Sequence, residues 1–599
     1  MSLFADLKAD IVYYRSAFRS LARTAPIARQ PGRLFPFVID ELAQSFGDAP
    51  ALISARESFS YRTLAGRVNG YARWALAQNL AKGEVVCVLM ANRPDYLAVW
   101  LGVTKIGGIA ALLNTNLVGA SLAHCIDAVA PQHIIVAAEL MGAWQSAQPL
   151  LRSRPVLWIH GGSGPSGRPL APELEKFPQK PLGAAERRPL TTDDRALYIY
   201  TSGTTGMPKP ANVNHYRIML AAYGFAGVMN TRRSDRMYVC LPMYHTAGGI
   251  CATGAVLLAG GAVAIREKFS AREFWSDIVR YECTLFQYIG EMCRYLLRAP
   301  PDANERKHRL RLACGNGLRP DIWSEFQNRF AIPRIVEFYA ATEGNVMLFN
   351  FDGKPGAVGR LPRPLLRRYP VALIAVDPDT GAPLRDQRGF CIACEPGAAG
   401  EAIGRISRDP AQPTGRFDGY ADPADAERKI LRDVFAPGDA WFRTGDLMRR
   451  DARGYFYFVD RTGDTFRWKG ENVATAEVET AIGRFPGVAS VSVYGVAVPG
   501  AEGRAGMAAL AATGALDLAG LHAHLARALP DYARPLFLRV CRELEVTATF
   551  KPKKSDRVRE GFDPAATADA LYFDDRERGA FVPLDAALYR QILAGERRL

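Results

Sequence analysis

The stretch that decides the fold is Tyr198-Ile199-Tyr200-Thr201-Ser202-Gly203-Thr204-Thr205-Gly206-Met207-Pro208-Lys209. A strand-like apolar run leads into a cluster of hydroxyl side chains and glycines, and a lysine follows shortly after. Glycine lets a backbone approach an anion closely, hydroxyl and N–H groups donate to phosphate oxygens, and Lys209 adds a mobile positive charge. The stretch therefore predicts a nucleotide-phosphate loop; the alternative is an ordinary Ser/Thr/Gly surface turn.

This loop is not a P-loop. A P-loop requires a Gly-Lys-Ser/Thr sequence that opens a helix, whereas Pro208 interrupts the chain directly before the lysine.

Length and composition indicate a folded, basic protein with more than one domain. The chain has 599 residues, 48% of them hydrophobic, and a formal net charge of +14. A chain of this length exceeds a single hydrophobic core, so we expect at least two domains. The sequence pattern changes near residue 460, which predicts a large domain at 1–460 and a small one at 461–599. The positive charge suits an anionic partner, but no recognition motif supports nucleic acid binding.

Alternating strand-like and helix-like segments predict an α/β fold for the large domain. The apolar run 84–90 is followed by a helical pattern at 95–106 and a second apolar run at 109–113. After residue 345 the pattern becomes rich in strands. From residue 461 onward, helical and strand-like runs mix, which predicts a small α+β domain.

The N-terminal segment, 1–30, is predicted to begin with an amphipathic helix. Within 1–23, large apolar residues recur at alternating spacings of three and four and form one stripe: Phe4, Leu7, Ile11, Tyr14, Phe18 and Leu21. Basic residues lie along one edge of this stripe: Lys8, Arg15, Arg19 and Arg23. Such a helix can lie on an anionic membrane or pack on its own domain, and the sequence leaves both alternatives open.

No secretory signal is evident, because the N-terminus is charged and lacks a continuous apolar core. We therefore expect a cytoplasmic protein. If the N-terminal helix binds lipid, we expect the protein to lie at the inner face of the membrane.

Three further segments carry side chains suited to nucleotide chemistry. In the segment 338–345, Tyr339 can stack on a flat base while Glu343 holds Mg²⁺ against phosphates. In 441–446, Asp446 can accept both hydroxyls of a ribose, although a turn aspartate between strands is the alternative. Near the end, 547–551 presents Lys551 on a short polar approach.

Taken in this order, these segments resemble the adenylate-forming superfamily of acyl-CoA synthetases, luciferases and peptide-synthetase adenylation domains. Within it, the stretches 306–319, 338–345 and 463–472 resemble the fatty acid transport protein and very-long-chain acyl-CoA synthetase branch. The resemblance implies a large N-terminal adenylation domain, with α/β subdomains and a strand-rich part, and a small mobile C-terminal domain.

The resemblance also implies roles for individual residues. The ATP phosphates would be held by Thr201, Ser202, Gly203, Thr204, Thr205, Gly206 and Lys209. Adenine would be framed by Gly315, Asn316, Gly317 and Tyr339. Thr342 would contact the α-phosphate, Glu343 would bind Mg²⁺, and Asp446 with Arg461 would bind the ribose. Gly463 would be the hinge, His245 and Gly248 would border the acyl pocket, and CoA would meet Lys469, Gly470 and Glu471.

Lys551 would be the catalytic lysine of the small domain. Phe550 stands where many members of the superfamily carry glycine, so Lys553 and Lys554 are close rivals for that role.

The implied reaction uses ATP, Mg²⁺ and CoA. A fatty acid would form an acyl-adenylate with release of pyrophosphate, and CoA would then take the acyl group with release of AMP. Acyl length is left open, and a bile-acid-like or other bulky carboxylate is an alternative substrate. Two further alternatives are an acyl-AMP ligase that loads a carrier protein and a non-catalytic lipid-uptake protein that retains the fold.

Overall fold

The computed structural model describes residues 2–162, 167–201, 207–366, 368–377, 380–407, 415–462, 464–468, 471–499, 501, 503–546, 554–597 and 599. The chain forms two units by packing. Unit 1 comprises Met1–Pro370 and Ile406–Ile430, and unit 2 comprises Val371–Arg405 and Leu431–Leu599. The strand-rich segments 371–405 and 431–460 thus pack with the C-terminal part. These units are defined by which residues pack together and not by which part of the chain moves. The predicted domain boundary at 460/461 therefore stays a prediction.

The described strands of unit 1 are β1 (Pro50–Ile53), β2 (Ser58–Ser60), β3 (Val85–Leu89), β4 (Ile109–Leu112), β5 (His133–Ala137), β6 (Val156–His160), β7 (Arg168–Pro169), β8 (Arg195–Thr201), β9 (Lys209–Asn214), β10 (Arg236–Val239), β11 (Ala262–Ile265), β12 (Leu285–Ile289), β13 (Leu312–Asn316), β14 (Ile335–Ala340), β15 (Met347–Asn350) and β16 (Gly359–Arg360).

The helices of the same unit are α1 (Ser2–Arg29), α2 (Phe35–Phe46), α3 (Tyr61–Ala77), α4 (Pro94–Lys105), α5 (Gly119–Asp127), α6 (Met141–Ala147), α7 (Leu170–Leu174), α8 (His215–Met229), α9 (Thr253–Leu257), α10 (Phe274–Arg280), α11 (Gly290–Arg298), α12 (Pro320–Arg329) and α13 (Pro423–Glu427). A π-helical turn at Ala247–Ala252 precedes α9.

Two large sheets organise unit 1. One has the strand order β7-β6-β5-β3-β4-β8-β9, parallel except for the β8–β9 hairpin. The other has the order β15-β14-β13-β12-β10-β11-β1-β2 and is parallel from β14 to β1. Every residue of β3 and β4 is buried, as expected for parallel strands covered on both faces. The predicted α/β layers are present.

In unit 2 the described strands are β17 (Val371–Ile374), β18 (Ala399–Arg405), β20 (Ala440–Arg450), β21 (Tyr455–Arg461), β22 (Phe466–Trp468), β23 (Glu471–Val473), β24 (Val488–Ala497), β25 (Arg504–Ala512), β26 (Phe537–Cys541), β27 (Ala570–Asp575) and β28 (Ala580–Pro583). Strand β19 (Ile430–Arg432) begins at the last residue of unit 1 and continues into the sequence of unit 2. The helices are α14 (Thr475–Gly483), α15 (Leu518–Ala528), α16 (Ser555–Glu560) and α17 (Ala586–Leu593).

Unit 2 contains two main sheets. Strands β17, β18, β20 and β21 are antiparallel neighbours in that order. Strands β24 to β28 form a five-stranded sheet in chain order, in which only the β25–β26 pair is parallel. Helices α14 and α15 supply residues to the apolar core of this second sheet. The mixed α+β character predicted for the C-terminal region is therefore present.

The N-terminal helix α1 packs on α8 through a face of small residues. Ser20 lies so close to Gly227 of α8 that a Cβ added to the glycine would be 2.4 Å from the serine Cα. Ser16 is 1% exposed, and the Ser20 hydroxyl donates to the Gly224 carbonyl at 3.3 Å. The helix is therefore held on unit 1 by close backbone approach rather than by its large apolar stripe.

Five of the six residues of the predicted stripe instead face outward, and the side chain of the sixth, Phe4, lies outside the described residues. The exposed fractions are 57% for Leu7, 49% for Ile11, 42% for Tyr14, 73% for Phe18 and 63% for Leu21. Within the described part of the chain, no helix combines the length and apolarity needed to cross a bilayer.

The basic edge predicted beside the stripe is only partly free to face a partner. Lys8 and Arg15 are exposed. Arg19 donates to the Gly227 carbonyl at 3.3 Å, and Arg23 donates to the Thr231 carbonyl at 3.5 Å. Two of the four basic side chains thus bind the C-terminal region of α8.

Candidate active site

The β8–β9 hairpin carries the predicted phosphate loop. Thr201, at the end of β8, lies directly opposite Lys209 at the start of β9. The hairpin is anchored from below, because the hydroxyl of buried Tyr200 donates to the Cys125 carbonyl at 2.6 Å. Ser202, Gly203, Thr204, Thr205 and Gly206 lie outside the described residues. The two ends of the predicted loop are therefore adjacent on one sheet edge.

Lys209 is held by a carboxylate that the sequence motifs did not mark. Its Nζ lies 2.7 Å from Asp425 on α13, and Arg428 contacts the same carboxylate. Burial opposes ionisation of Asp425, but hydrogen bonds from Lys209 and Arg428 keep the pKa of this carboxyl below its usual value.

Glu343 is positioned by Tyr420. This tyrosine lies, like Asp425, in the segment Ile406–Ile430, which packs with unit 1 although it follows the first segment of unit 2 in the chain. The tyrosine hydroxyl donates to Glu343 Oε1 at 2.9 Å and also contacts Thr201. Burial, followed by the charge of Glu343, raises the pKa of Tyr420 well above its usual value, so the phenol stays protonated. Tyr420 bridges to Ala211 of β9. The predicted phosphate residue Thr201 and the predicted Mg²⁺ ligand Glu343 thus share one tyrosine.

Arg217 fixes the turn that contains Thr342 and Glu343. Its guanidinium donates to the carbonyl oxygens of Thr342, Glu343 and Gly344 at 3.1, 3.3 and 2.6 Å. Arg217 lies in the first turn of α8, where the Asn214 side chain accepts its backbone N–H at 2.9 Å. A charged side chain that meets three consecutive carbonyls leaves this turn little freedom.

The predicted acyl-pocket segment reaches the same turn. The hydroxyls of Thr246 and Thr342 lie 3.2 Å apart, so His245 and Gly248 belong to a segment beside Thr342. Gly248 lies in the π-helical turn, and a Cβ there would be 2.8 Å from the Pro242 carbonyl oxygen. A bulkier residue would clash with backbone, and single π-helical turns are frequent at functional sites.

The predicted adenine frame lies at the ends of β13 and β14. Gly315 and Asn316 close β13, Gly317 follows with φ of +81°, and Tyr339 lies near the end of β14. Strands β13 and β14 are parallel neighbours, which places their carboxyl ends at one sheet edge. Positive φ at Gly317 is a conformation that other residues rarely adopt.

The predicted ribose residues are neighbours in unit 2. Asp446 of β20 pairs with Arg461 of β21 in the antiparallel register, and the side chains approach to 3.4 Å. Asp446 is 9% exposed. The preceding Gly445, with φ of +75°, donates its N–H to buried Glu401 at 3.1 Å. Glu401 thus fixes the backbone of β20 directly before Asp446, a role that no sequence motif indicated.

The remaining predicted residues follow residue 461 in the chain. Gly463, Lys469, Gly470, Lys551 and Lys553 lie outside the described residues, and Glu471 is an exposed residue that opens β23. Lys554, the other rival for the catalytic lysine, is held by acidic neighbours. Its Nζ lies 3.4 Å from Asp464 and 3.6 Å from Glu479.

Among the described residues, no group of three or more His, Cys, Asp or Glu side chains is placed to bind a metal ion. The lone carboxylate of Glu343 still fits Mg²⁺. This ion is usually bound by one or two carboxylates together with substrate phosphates and water.

Comparison with known proteins identifies the family. A model of the AMP-binding enzyme family matches residues 39–401, more than half of the chain, and a model of the AMP-binding enzyme C-terminal domain matches 477–551. The chain is 43% identical over 577 residues to a long-chain fatty acid transport protein 1 of Mus musculus, covering 95% of this chain and 88% of the relative.

Solved structures show the same fold at low identity. One is an ATP-bound MatB from Rhodopseudomonas palustris, with a TM-score of 0.71, 23% identity, and coverage of 89% of this chain and 100% of that chain. Another is an anthranilate CoA ligase in complex with anthranoyl-AMP, with a TM-score of 0.72, 20% identity, and coverage of 86% and 95%. These structures confirm the predicted fold class, and the family match with the 43% identical relative confirms the predicted enzyme class. The chain belongs to the AMP-binding enzyme family, among relatives named long-chain fatty acid transport proteins.

Proposed function

We propose that this protein is a long-chain or very-long-chain fatty acyl-CoA synthetase. The observation that carries the proposal is the convergence of Thr201, Lys209, Thr342 and Glu343 in unit 1, joined through Tyr420 and Arg217. These are the hydroxyl, ammonium and carboxylate groups that a nucleotide triphosphate and its magnesium ion require. The 43% identical relative is named for long-chain fatty acids, which supports that substrate class.

The first half-reaction joins the acid to AMP. A carboxylate oxygen of the fatty acid attacks the α-phosphorus of ATP, the bond from that phosphorus to the bridging oxygen breaks, and pyrophosphate leaves. Lys209 and the hydroxyls of the 201–206 loop would hold the phosphates, with Thr342 at the α-phosphate. When Mg²⁺ is bound, it would neutralise charge that accumulates on the phosphate oxygens. Glu343 would hold it there.

Lys551 would add positive charge during this half-reaction, and Asp446 with Arg461 would bind the ribose. In the second half-reaction the CoA thiolate attacks the acyl carbonyl carbon of the mixed anhydride, and AMP leaves. We propose Gly463 as the hinge between the two reaction geometries, because glycine tolerates large backbone rotations. CoA would be bound by Lys469, Gly470 and Glu471, and the acyl chain would enter beside His245 and Gly248.

We further propose that α1 docks on an anionic membrane. Its small-residue face is occupied by α8, while five large apolar side chains stay exposed on the other side: Leu7, Ile11, Tyr14, Phe18 and Leu21. Lys8 and Arg15 are exposed on the same helix, so the apolar surface has positive charge nearby. Apolar side chains beside basic ones match the headgroup region of an acidic bilayer, which is also where a fatty acid substrate resides.

The ligase proposal is tested by separating the half-reactions. Purified protein, ATP and Mg²⁺ are incubated with a panel of medium-chain to very-long-chain fatty acids and one sterol acid, with and without CoA. We expect pyrophosphate release without CoA, and AMP with acyl-CoA when CoA is added. If the enzyme prefers the sterol acid, the substrate class is a bulky carboxylate and not a fatty acid. Acyl-AMP formation without transfer to CoA would favour carrier-protein loading, and no pyrophosphate with any acid would overturn the proposal.

A further inference from the structure

Glu337 is a fully buried carboxyl beneath the predicted adenine frame. It lies on β14 next to Gly315 of β13 and is 1% exposed. Its Oε1 accepts the backbone N–H groups of Gly317 and Leu318, the latter at 3.1 Å. The Tyr288 hydroxyl donates to its other oxygen at 2.5 Å. One side chain therefore satisfies two consecutive donors of the turn that follows β13.

This turn is also confined by a close backbone contact with Gly290. Gly290, at the start of α11, approaches so closely that an added Cβ would lie 1.6 Å from the Gly317 carbonyl oxygen. Gly317 itself has φ of +81°. A tight turn with positive φ, close backbone contact and inward N–H groups needs a fixed internal acceptor, because unsatisfied buried donors are costly.

We propose that Glu337 is a positioning residue for nucleotide binding, which holds the 315–318 turn in the shape that receives adenine. The proposal rests on the proposed function of Gly315, Asn316 and Gly317. Glu337 contacts the backbone of the turn and is 1% exposed, so it would act on the nucleotide through the turn.

The charge of Glu337 couples this role to pH. Burial raises the pKa of Glu337 to about 8, although hydrogen bonds from Tyr288, Leu318 and Gly317 oppose the shift. The titratable groups facing it are Tyr288 on β12, Cys293 on α11 and Cys314 on β13, and burial raises the pKa of each well above its usual value. These neighbours therefore stay neutral when Glu337 ionises.

Below pH 8 the carboxyl is neutral, and it gains a negative charge as the pH rises through about 8. A buried negative charge beneath a site for a polyanion weakens binding of that anion. We therefore expect ATP affinity to fall on the alkaline side.

The test compares Glu337→Gln with Glu337→Ala. Glutamine keeps an acceptor for Gly317 and Leu318 but cannot ionise. The Km for ATP and the kcat of pyrophosphate release are measured from pH 6.5 to pH 9.5, and ATP binding is measured by calorimetry. We expect Glu337→Gln to resemble the parent protein at pH 7 and to lose its alkaline rise in Km. Glu337→Ala should raise the Km by about tenfold with a smaller change in kcat.

The matched control is Asp277→Asn. Asp277 is another buried carboxyl that accepts a tyrosine hydroxyl, from Tyr238 at 2.9 Å, and it lies outside the proposed site. We expect this variant to change thermal stability and to keep the parent pH profile. If Glu337→Ala lowers only the melting temperature, the positioning role is wrong. If Glu337→Gln keeps the alkaline rise, the coupling of ATP affinity to the charge of Glu337 is wrong. If the parent protein binds ATP but releases no pyrophosphate, the ligase proposal is wrong. The effect of the Glu337 variants on ATP affinity, measured by calorimetry, would still test the positioning role.

Discussion

Lys209 Nζ lies 2.7 Å from a carboxylate oxygen of Asp425. The lysine proposed to bind ATP phosphates thus already has an anionic partner, and we expect a phosphate to compete with that carboxylate for the ammonium group. The Lys209 side chain is 37% exposed, so solvent screens the pair and its net worth is about 0–1 kcal/mol.

Replacing Asp425 with asparagine should therefore make ATP binding easier. We expect the Km for ATP in pyrophosphate release to fall by up to about fivefold, because Lys209 no longer gives up a charged partner. Glu427→Gln, an exposed position on the same short helix, is the matched control and should leave the Km unchanged. A rise in Km for Asp425→Asn would mean that the carboxylate orients Lys209 instead of competing with phosphate.

Asp446→Ala should raise the Km for ATP about tenfold or more, since ribose hydroxyls would lose their acceptor. The Km for the fatty acid serves as the internal control and should change little. Asp446→Asn should fall between alanine and the parent, because the amide keeps one acceptor oxygen. An unchanged Km for ATP would contradict the ribose assignment and leave Asp446 as the ion-pair partner of Arg461.

Lys551 and Lys554 should give different phenotypes. Burial opposes the charge of Lys554, but its neighbours Glu479 and Asp464 raise its pKa, and it donates to the Thr475 hydroxyl at 3.3 Å. Lys554→Ala should therefore lower the melting temperature and affect both half-reactions similarly.

Lys551→Ala should slow acyl-adenylate formation by about 10²–10³ and spare thioester formation from a pre-made acyl-adenylate. Both half-reactions are measured for each variant. If Lys554→Ala slows only acyl-adenylate formation and Lys551→Ala slows neither half-reaction, the catalytic role was assigned to the wrong lysine.

The parts of the site that the sequence predicts are those carried by contiguous motifs. Thr201 and Lys209 lie eight positions apart in the chain, and a hairpin between them follows from the strand-like runs on both sides. Thr342 and Glu343 are consecutive in one motif, so the sequence also predicts that they lie together. Their partners could not be predicted, because Lys209 and Asp425 are 216 positions apart and only the return of the segment 415–430 to unit 1 joins them.

The N-terminal helix illustrates a second limit. Periodicity predicts the helix and its apolar stripe, and both are present. Periodicity leaves open whether the stripe packs on the protein or faces a partner, and α1 packs through Ser16, Ser20 and the glycines of α8. Small residues allow two backbones to approach closely without a hydrophobic signal, so a pattern based on side-chain apolarity cannot reveal which face is used.

Acid should destabilise unit 1 through His215. Burial lowers the pKa of this histidine to about 4, and its ring is 0% exposed at the start of α8. Because the folded state binds the proton more weakly than the unfolded chain, stability falls as the pH drops from about 6.5 towards 4. At pH 5 the cost is on the order of 2 kcal/mol.

His215→Phe should therefore lose about 2 kcal/mol less than the parent between pH 7.5 and pH 5, measured by denaturant unfolding at both values. His524→Gln, in unit 2, serves as the control. This variant should lose as much free energy of unfolding in unit 1 between pH 7.5 and pH 5 as the parent does. Equal losses for His215→Phe and the parent would show that His215 does not carry the effect.

The exposed stripe of α1 can be tested without disturbing the fold. We expect the triple variant Ile11→Gln, Phe18→Gln, Leu21→Gln to keep the parent melting temperature, because all three side chains already face solvent. Its affinity for vesicles that contain anionic phosphatidylglycerol should fall by about a hundredfold or more, since each large apolar side chain contributes about 1.5–3 kcal/mol when buried in lipid. Binding by the parent should weaken with salt, because Lys8 and Arg15 would each contribute about 1 kcal/mol at the surface.

The matched control carries Val118→Gln and Leu150→Gln, which are 59% and 54% exposed and are not part of α1. This variant should bind vesicles as the parent does. By contrast, Gly227→Leu should lower the melting temperature, because its side chain would meet the Ser20 backbone. Unchanged vesicle binding by the triple variant would contradict the membrane proposal, and a parent dimer that becomes monomeric in that variant would assign the stripe to a second copy of the chain.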